Sequence, residues 1–210
     1  MNKLPTNSIK ACDCSPPEGG NRFSGWLGRS LLRLTGWRIE GAIPQYPKMV
    51  IAVAPHTSNW DFFLGVAVLF ALRIKIRFLG KHSIFVPVAK QLLEMIGGMP
   101  VDRNAPHGLV ADVVAQFDAQ DKMILAVAPE GTRSPKFPWK TGFLAIAHQA
   151  NAKVVLIGFD FARKSVVIGP TLVSAGDFDA DMQEVYRFFG TVTAKYPKNV
   201  VLAKPQTPVE

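Results

Sequence analysis

A chain of 210 residues with 48% hydrophobic and 19% charged side chains has enough apolar material for a real core, which excludes global disorder and suits one domain. Lys plus Arg number 24 against 16 for Asp plus Glu, and the net charge of +8 favours an anionic partner: nucleic acid, acidic lipid headgroups or a phosphorylated substrate. The longest uncharged apolar run, Phe62 to Leu72, has eleven residues, where a membrane span needs about twenty, so no spanning helix is expected.

Residues 1–20, rich in Pro, Gly and Ser, read as a flexible tail without the apolar stretch of a secretory signal. Cys12 and Cys14, the only cysteines, lie in that tail, so neither a disulfide framework nor a metal cluster is expected and a cytosolic setting fits. A single domain over 21–205 is expected to follow. Its first segment, 21–39, reads as an amphipathic helix, with Phe23, Trp26, Leu27, Leu31 and Leu34 on one face and Arg22, Arg29 and Arg33 beside it. Such a face suits docking on an anionic membrane, and it equally suits packing on the domain, since periodicity does not tell a lipid face from a core face. Gly25 and Gly28 weaken the helix.

Strand-like and helix-like segments then alternate. Strands are expected at "MVIAVAP", "IKIRFLG", "GMPVDR", "KMILAVAP" and "KVVLIGFDF", with "SVVIGP" as an edge strand. Helices are expected at "WDFFLGVAVLFALR", "PVAKQLLEMIG", "HGLVADVVAQFDA", "TGFLAIAHQAN" and "DFDADMQEVYRFFGTVTAK". The alternation predicts an α/β fold, a mostly parallel central sheet flanked by helices on both faces. Sites in such sheets gather at the carboxyl ends of strands, and His56, Arg103 and Glu130 each follow a predicted strand.

The sequence carries no phosphate-binding P-loop, no dinucleotide G-x-G-x-x-G and no G-x-S-x-G nucleophile elbow, and its histidines lack metal-ligand spacing. What stands out is "PHTSNWD". His56 suits general-base work near neutral pH, and a carboxylate can hold its other ring nitrogen. Five positions on an ideal helix put Asp61 about 140° round from His56, so the two meet only if His56 precedes the helix and the chain turns between them. "SNWD" also reads as a helix capping box, in which Asp61 would satisfy backbone amides instead.

A second stretch, "APEGTRSPKFPWKTGF", is a proline-shaped loop carrying Glu130, Arg133, Lys136 and Lys140 into a helix capped by Thr141. Arginine near a helix start is a good phosphate receptor, although such loop charges are usually just solvated. A third stretch, "GGMPVDRN", brings Arg103 after a short strand; a surface ion pair is its simpler reading.

Together the three stretches resemble the glycerol-3-phosphate and 1-acylglycerol-3-phosphate (lysophosphatidate) O-acyltransferases. The resemblance rests on His-four residues-Asp (His56, Asp61), a Gly-containing strand ending in Arg (Arg103), and Glu-Gly-Thr-Arg (Glu130, Gly131, Thr132, Arg133), in that order, and spans roughly residues 22 to 190. It implies acyl transfer to a lysophosphatidate-like acceptor in phospholipid biosynthesis, with His56 and Asp61 catalytic and Arg103, Glu130, Gly131, Thr132 and Arg133 binding the acceptor. It implies no cofactor beyond acyl-CoA or acyl-carrier protein as co-substrate, with Lys81 and Lys140 as weaker candidates for the donor's phosphates. The lipid substrate would be met at an anionic membrane surface, which places the protein in the cytoplasm, peripheral on the inner face. The carrier protein is a further partner; nucleic acid is not, and the sequence does not give the oligomeric state. The chain departs from the family's pattern at Pro55, where many members have Asn, and at Lys153 and Leu156, where a fourth motif usually has prolines. Alternatives are therefore another lyso-lipid acceptor, such as an amino-acid lyso-lipid, or a non-catalytic lipid-binding protein.

Overall fold

A computed structural model describes residues 15–81, 85–101, 108–132 and 134–202. In chain order its elements are α1 (Arg22–Leu34), β1 (Arg38–Glu40), β2 (Lys48–Ala54), α2 (Trp60–Leu72), β3 (Arg77–Lys81), α3 (Pro87–Met95), β4 (Gly98–Val101), α4 (Leu109–Asp118), β5 (Met123–Val127), α5 (Gly142–Gln149), β6 (Lys153–Asp160), β7 (Ser165–Leu172) and α6 (Phe178–Phe189). The strands form one seven-stranded sheet in the order β1-β7-β6-β2-β5-β3-β4. Every neighbouring pair is parallel except β6–β7. This is the expected α/β architecture.

The near-continuous apolar strands are explained by burial on both sides. Along β2, Val50, Ala52 and Ala54 pack beneath α4, α5 and α6 with Phe117, Leu144 and Phe189, while Met49 and Ile51 face the opposite layer with Ala67, Val68 and Ala71 of α2. Alternation at period two thus feeds two apolar layers from one strand.

Four segments differ from the sequence expectation. The last helix, expected through Lys195, stops at Phe189 with Gly190 as its C-cap. The N-terminal helix does not run to residue 39: it stops at Leu34 with Thr35 as its C-cap, and Arg38–Glu40 form β1 instead. β7 is consequently not the edge, because β1 pairs along its outer side. Within the predicted tail, Pro17 to Gly19 are tied to the end of α2 and the residues after it: the Gly19 amide donates to the Arg73 carbonyl at 2.8 Å and the Lys75 amide to the Pro17 carbonyl at 2.9 Å. Residues 1–14 lie outside the described part of the chain.

α1 starts with a capping box, the Asn21 side chain accepting from the Ser24 amide while the Ser24 side chain accepts from the Asn21 amide. Its buried face is made of Gly25, Gly28 and Leu32. A Cβ on Gly28 would lie 2.5 Å from the Ala71 backbone nitrogen and 2.7 Å from the Ala67 carbonyl oxygen, so only glycine permits this approach to α2. Arg29 adds a bond from Nη1 to the Ala71 carbonyl at 3.1 Å. With the glycines facing α2, the apolar stripe faces outward: Phe23 is 67%, Trp26 58% and Leu34 86% exposed. Among the described residues no helix is long and apolar enough to cross a membrane.

Candidate active site

β2 and β5 run side by side, in register from Lys48–Met123 to Ala52–Val127. Their carboxyl ends therefore deliver the two motif-bearing loops to one place. From β2 the chain passes through Pro55 and turns before α2, so His56 precedes the helix, as the sequence geometry required.

Asp61 lies in the first turn of α2 and is 2% exposed. Its Oδ2 accepts from the Thr57 amide at 2.8 Å and the Ser58 amide at 2.7 Å, and its Oδ1 accepts from the Ser58 hydroxyl at 3.2 Å. The same Oδ2 stands 3.5 Å from His56 Nδ1. The carboxylate that fixes the turn thus also faces the imidazole. At 3.5 Å the contact is an ion-pair approach rather than a full hydrogen bond; catalytic hydrogen bonds without substrate are often this long.

Glu130 reaches the same turn from the β5 side. Both carboxylate oxygens accept from the His56 amide, at 3.0 and 2.9 Å, and the residue is only 6% exposed. Burial pushes its carboxyl up to about 7; the His56 amide opposes the rise and the Asp61 charge adds to it. Glu130 thus anchors the histidine's backbone. The amides of His56, Thr57 and Ser58 therefore all donate to carboxylates.

Gly131 follows in a left-handed conformation (φ 66°), closing a tight turn in which its amide donates to the Ala128 carbonyl at 3.0 Å. Lys140 lies over it, with Cε 3.2 Å from where a Gly131 Cβ would be. The loop returns to the domain through Trp139, which is buried and whose amide donates to the Tyr186 hydroxyl at 3.0 Å. Thr132 accepts through Oγ1 from the Ser134 amide at 3.2 Å. Thr141 stands at the start of α5 but makes no side-chain cap bond, contrary to the sequence reading. Arg103 and Arg133 lie outside the described residues, as does the side chain of Lys81 at the end of β3.

Beneath His56 a cavity of about 220 Å³ opens between α2 and the sheet. Apart from His56 and Asp61 it is lined by apolar residues, including Phe62, Gly65 and Leu69 of α2 and Ile157 and Phe159 of β6. Among the described residues no group of His, Cys, Asp and Glu could hold a metal ion. Chemically the site offers a base oriented by a carboxylate, facing a slot that accepts hydrocarbon.

Sequence reasoning missed Thr57 and Ser58 as buried polar partners, and it read the segment after α6 as more helix. There the Tyr196 amide donates to Thr57 Oγ1 at 3.3 Å, and Lys195 Nζ sits 4.7 Å above the Trp60 ring. No periodicity signals the Thr57–Tyr196 contact, because it bridges 139 residues of chain.

Comparison with solved structures finds the 1-acyl-sn-glycerophosphate (LPA) acyltransferase PlsC from Thermotoga maritima, at TM-score 0.59 and 16% sequence identity, over 83% of this chain and 80% of that one. No curated protein matches the sequence. The profile of the acyltransferase family matches residues 38–160, a span that begins at β1, ends with β6 and contains His56, Asp61, Arg103, Glu130 and Arg133. With more than half of its length matched by the family profile, and with the His–Asp pair lining an apolar cavity, this chain belongs to the acyltransferase family.

Proposed function

We propose that the protein moves a fatty acyl group from the thioester of acyl-CoA or acyl-carrier protein to the hydroxyl of a lysophosphatidate-like glycerol-phosphate lipid, working at an anionic membrane surface. The observation that carries this reading is that the facing pair His56 and Asp61 lines the apolar cavity. A thioester whose chain lies in the cavity presents its carbonyl beside the imidazole.

The acceptor's oxygen attacks the carbonyl carbon while its proton passes to His56 Nε2. Asp61, facing Nδ1, favours the imidazolium that forms. The tetrahedral intermediate collapses with cleavage of the C–S bond, and the departing thiolate takes the proton from His56. Ester and thiol are released with the base restored. No covalent enzyme intermediate is required, because a thioester is already activated and the barrier lies in the weakly acidic alcohol. Arg103 and Arg133 are proposed to hold the acceptor's phosphate through charge-assisted hydrogen bonds.

The outward stripe of α1 supports membrane docking from the cytoplasmic side. Phe23, Trp26, Leu27, Leu31 and Leu34 are exposed together, and Arg22 and Arg33 are exposed beside them to meet lipid phosphate. Arg29 belongs partly to the packing of α1 on α2.

The decisive experiment is a mass-resolved acyl-transfer assay offering lysophosphatidate and other lyso-lipids, amino-acid lyso-lipids included, with acyl-CoA and acyl-carrier protein in separate arms. The expected product is phosphatidate. Transfer to another lyso-lipid changes the acceptor but keeps the chemistry, and no transfer in any arm overturns the reading.

A further inference from the structure

Lys195 is held in an unusual way. Its Nζ lies 4.7 Å from the Trp60 ring centroid, 5.8 Å from Tyr196 and 6.0 Å from Phe161, three aromatic faces around one ammonium. Among the described residues no carboxylate pairs with it. Rings attract a cation without neutralising it, and they leave its N–H groups able to donate to an anion.

The position is as specific as the contacts. Trp60 opens α2 four residues after His56, and the neighbouring Tyr196 amide bonds to Thr57, the residue after His56. Phe161 follows β6, and its amide donates to the Thr193 carbonyl at 2.8 Å, which fixes the segment carrying Lys195. In the sheet, β2, which ends just before His56, is bordered by β6 on one side and β5 on the other. Glu130, Gly131 and Lys140 therefore flank His56 from the β5 side, and Lys195 from the β6 side.

Acyl transfer as proposed above brings two phosphorylated substrates to His56. The Glu-Gly-Thr-Arg loop on the β5 side is the candidate for the acceptor. We infer that Lys195, on the β6 side, binds the acyl donor through the phosphate of its phosphopantetheine arm, the group that coenzyme A and carrier protein share. This rests on the acyl-transfer reading. Trp60 and Tyr196, both exposed, hold the ammonium beside the turn that carries His56, so that little ordering is left for the moment of binding.

The test compares wild type with Lys195→Gln and Lys195→Arg on four donors: acyl-CoA, acyl-carrier protein, acyl-phosphopantetheine and acyl-pantetheine, which lacks the phosphate. One charge-assisted contact corresponds to about a tenfold change. Lys195→Gln is expected to raise KM about tenfold for the three phosphorylated donors, to leave KM for acyl-pantetheine and for the acceptor unchanged, and to be rescued by Lys195→Arg. An equal rise with acyl-pantetheine, a rise confined to acyl-CoA, or a rise for the acceptor alone overturns the inference. So does unchanged donor KM accompanied by weaker binding to anionic vesicles, which would make Lys195 a membrane contact. Calorimetric titration of coenzyme A needs no turnover and separates this inference from the acyl-transfer reading. Affinity about tenfold lower in Lys195→Gln supports it even without transfer; equal affinity, or none in the wild type, overturns it.

Discussion

At its N-terminal end α2 is held by polar groups taken out of water: Asp61 accepts three hydrogen bonds from Thr57 and Ser58, and Glu130 receives the His56 amide from a neighbouring loop. At its C-terminal end the same helix is held by close approach, with Gly25 and Gly28 of α1 bringing backbone against Ala67, Ala71 and the Arg73 side chain. The first attachment includes the carboxyl of Glu130, raised by burial, and fixes the backbone of His56. The second is insensitive to pH and positions a helix. One rod thus joins a chemically responsive end to an inert one, and variants at each end are expected to differ in kind as well as in size.

The largest effect is expected at the polar end. His56→Ala should lower kcat/KM for acyl transfer by about a hundred- to ten-thousand-fold, with the far-UV circular dichroism of wild type. A variant that unfolds would instead show that His56 is needed mainly for the turn.

Glu130 sharpens the contrast through pH. Burial raises its carboxyl from 4.5 to about 7, so between those values the folded protein retains a proton that the unfolded chain gives up. Its favourable contribution is complete below pH 4.5 and is lost as pH rises through about 7, a change of about 3 kcal/mol. Urea unfolding of wild type minus Glu130→Gln should show that decline across the window. A flat difference would mean that the carboxyl is ionised throughout.

Gly28→Ala probes the inert end. Alanine in place of an unhindered helical glycine would stabilise by roughly 0.5–1 kcal/mol, whereas an atom forced to 2.5 Å from Ala71 nitrogen should destabilise by about 1–3 kcal/mol. The sign alone decides, and the loss should be equal at pH 4.5 and pH 7. The smallest effect belongs to the outer surface of the same helix. Arg33→Gln should weaken co-sedimentation with anionic vesicles by about 1 kcal/mol, roughly fivefold, while changing unfolding by less than that.

Much of the fold was legible because parallel strands buried on both faces leave short β-branched runs such as "MVIAV" and "VVLI", separated by helix-length segments. The His56–Asp61 relation was legible for a geometric reason: only a bend before the helix lets those two side chains meet. The direction of α1 was not. An apolar stripe normally marks the core side, but two glycines offered a closer contact than any large side chain could, and the stripe turned outward. β1 was missed because three residues are too few for a period to register. Glu130's partner was missed because motif reading assigns side chains to substrate, whereas a backbone amide 74 residues away leaves no mark in composition.

The bond from the His56 amide to Glu130 changes how an alanine scan of this enzyme should be interpreted. Truncating Glu130 would silence turnover by letting the imidazole drift, even if no substrate atom ever touches that acid. An inactive substitution there is therefore no proof of ligand contact, and a collapse of kcat with KM preserved would identify a hinge pin rather than a grip.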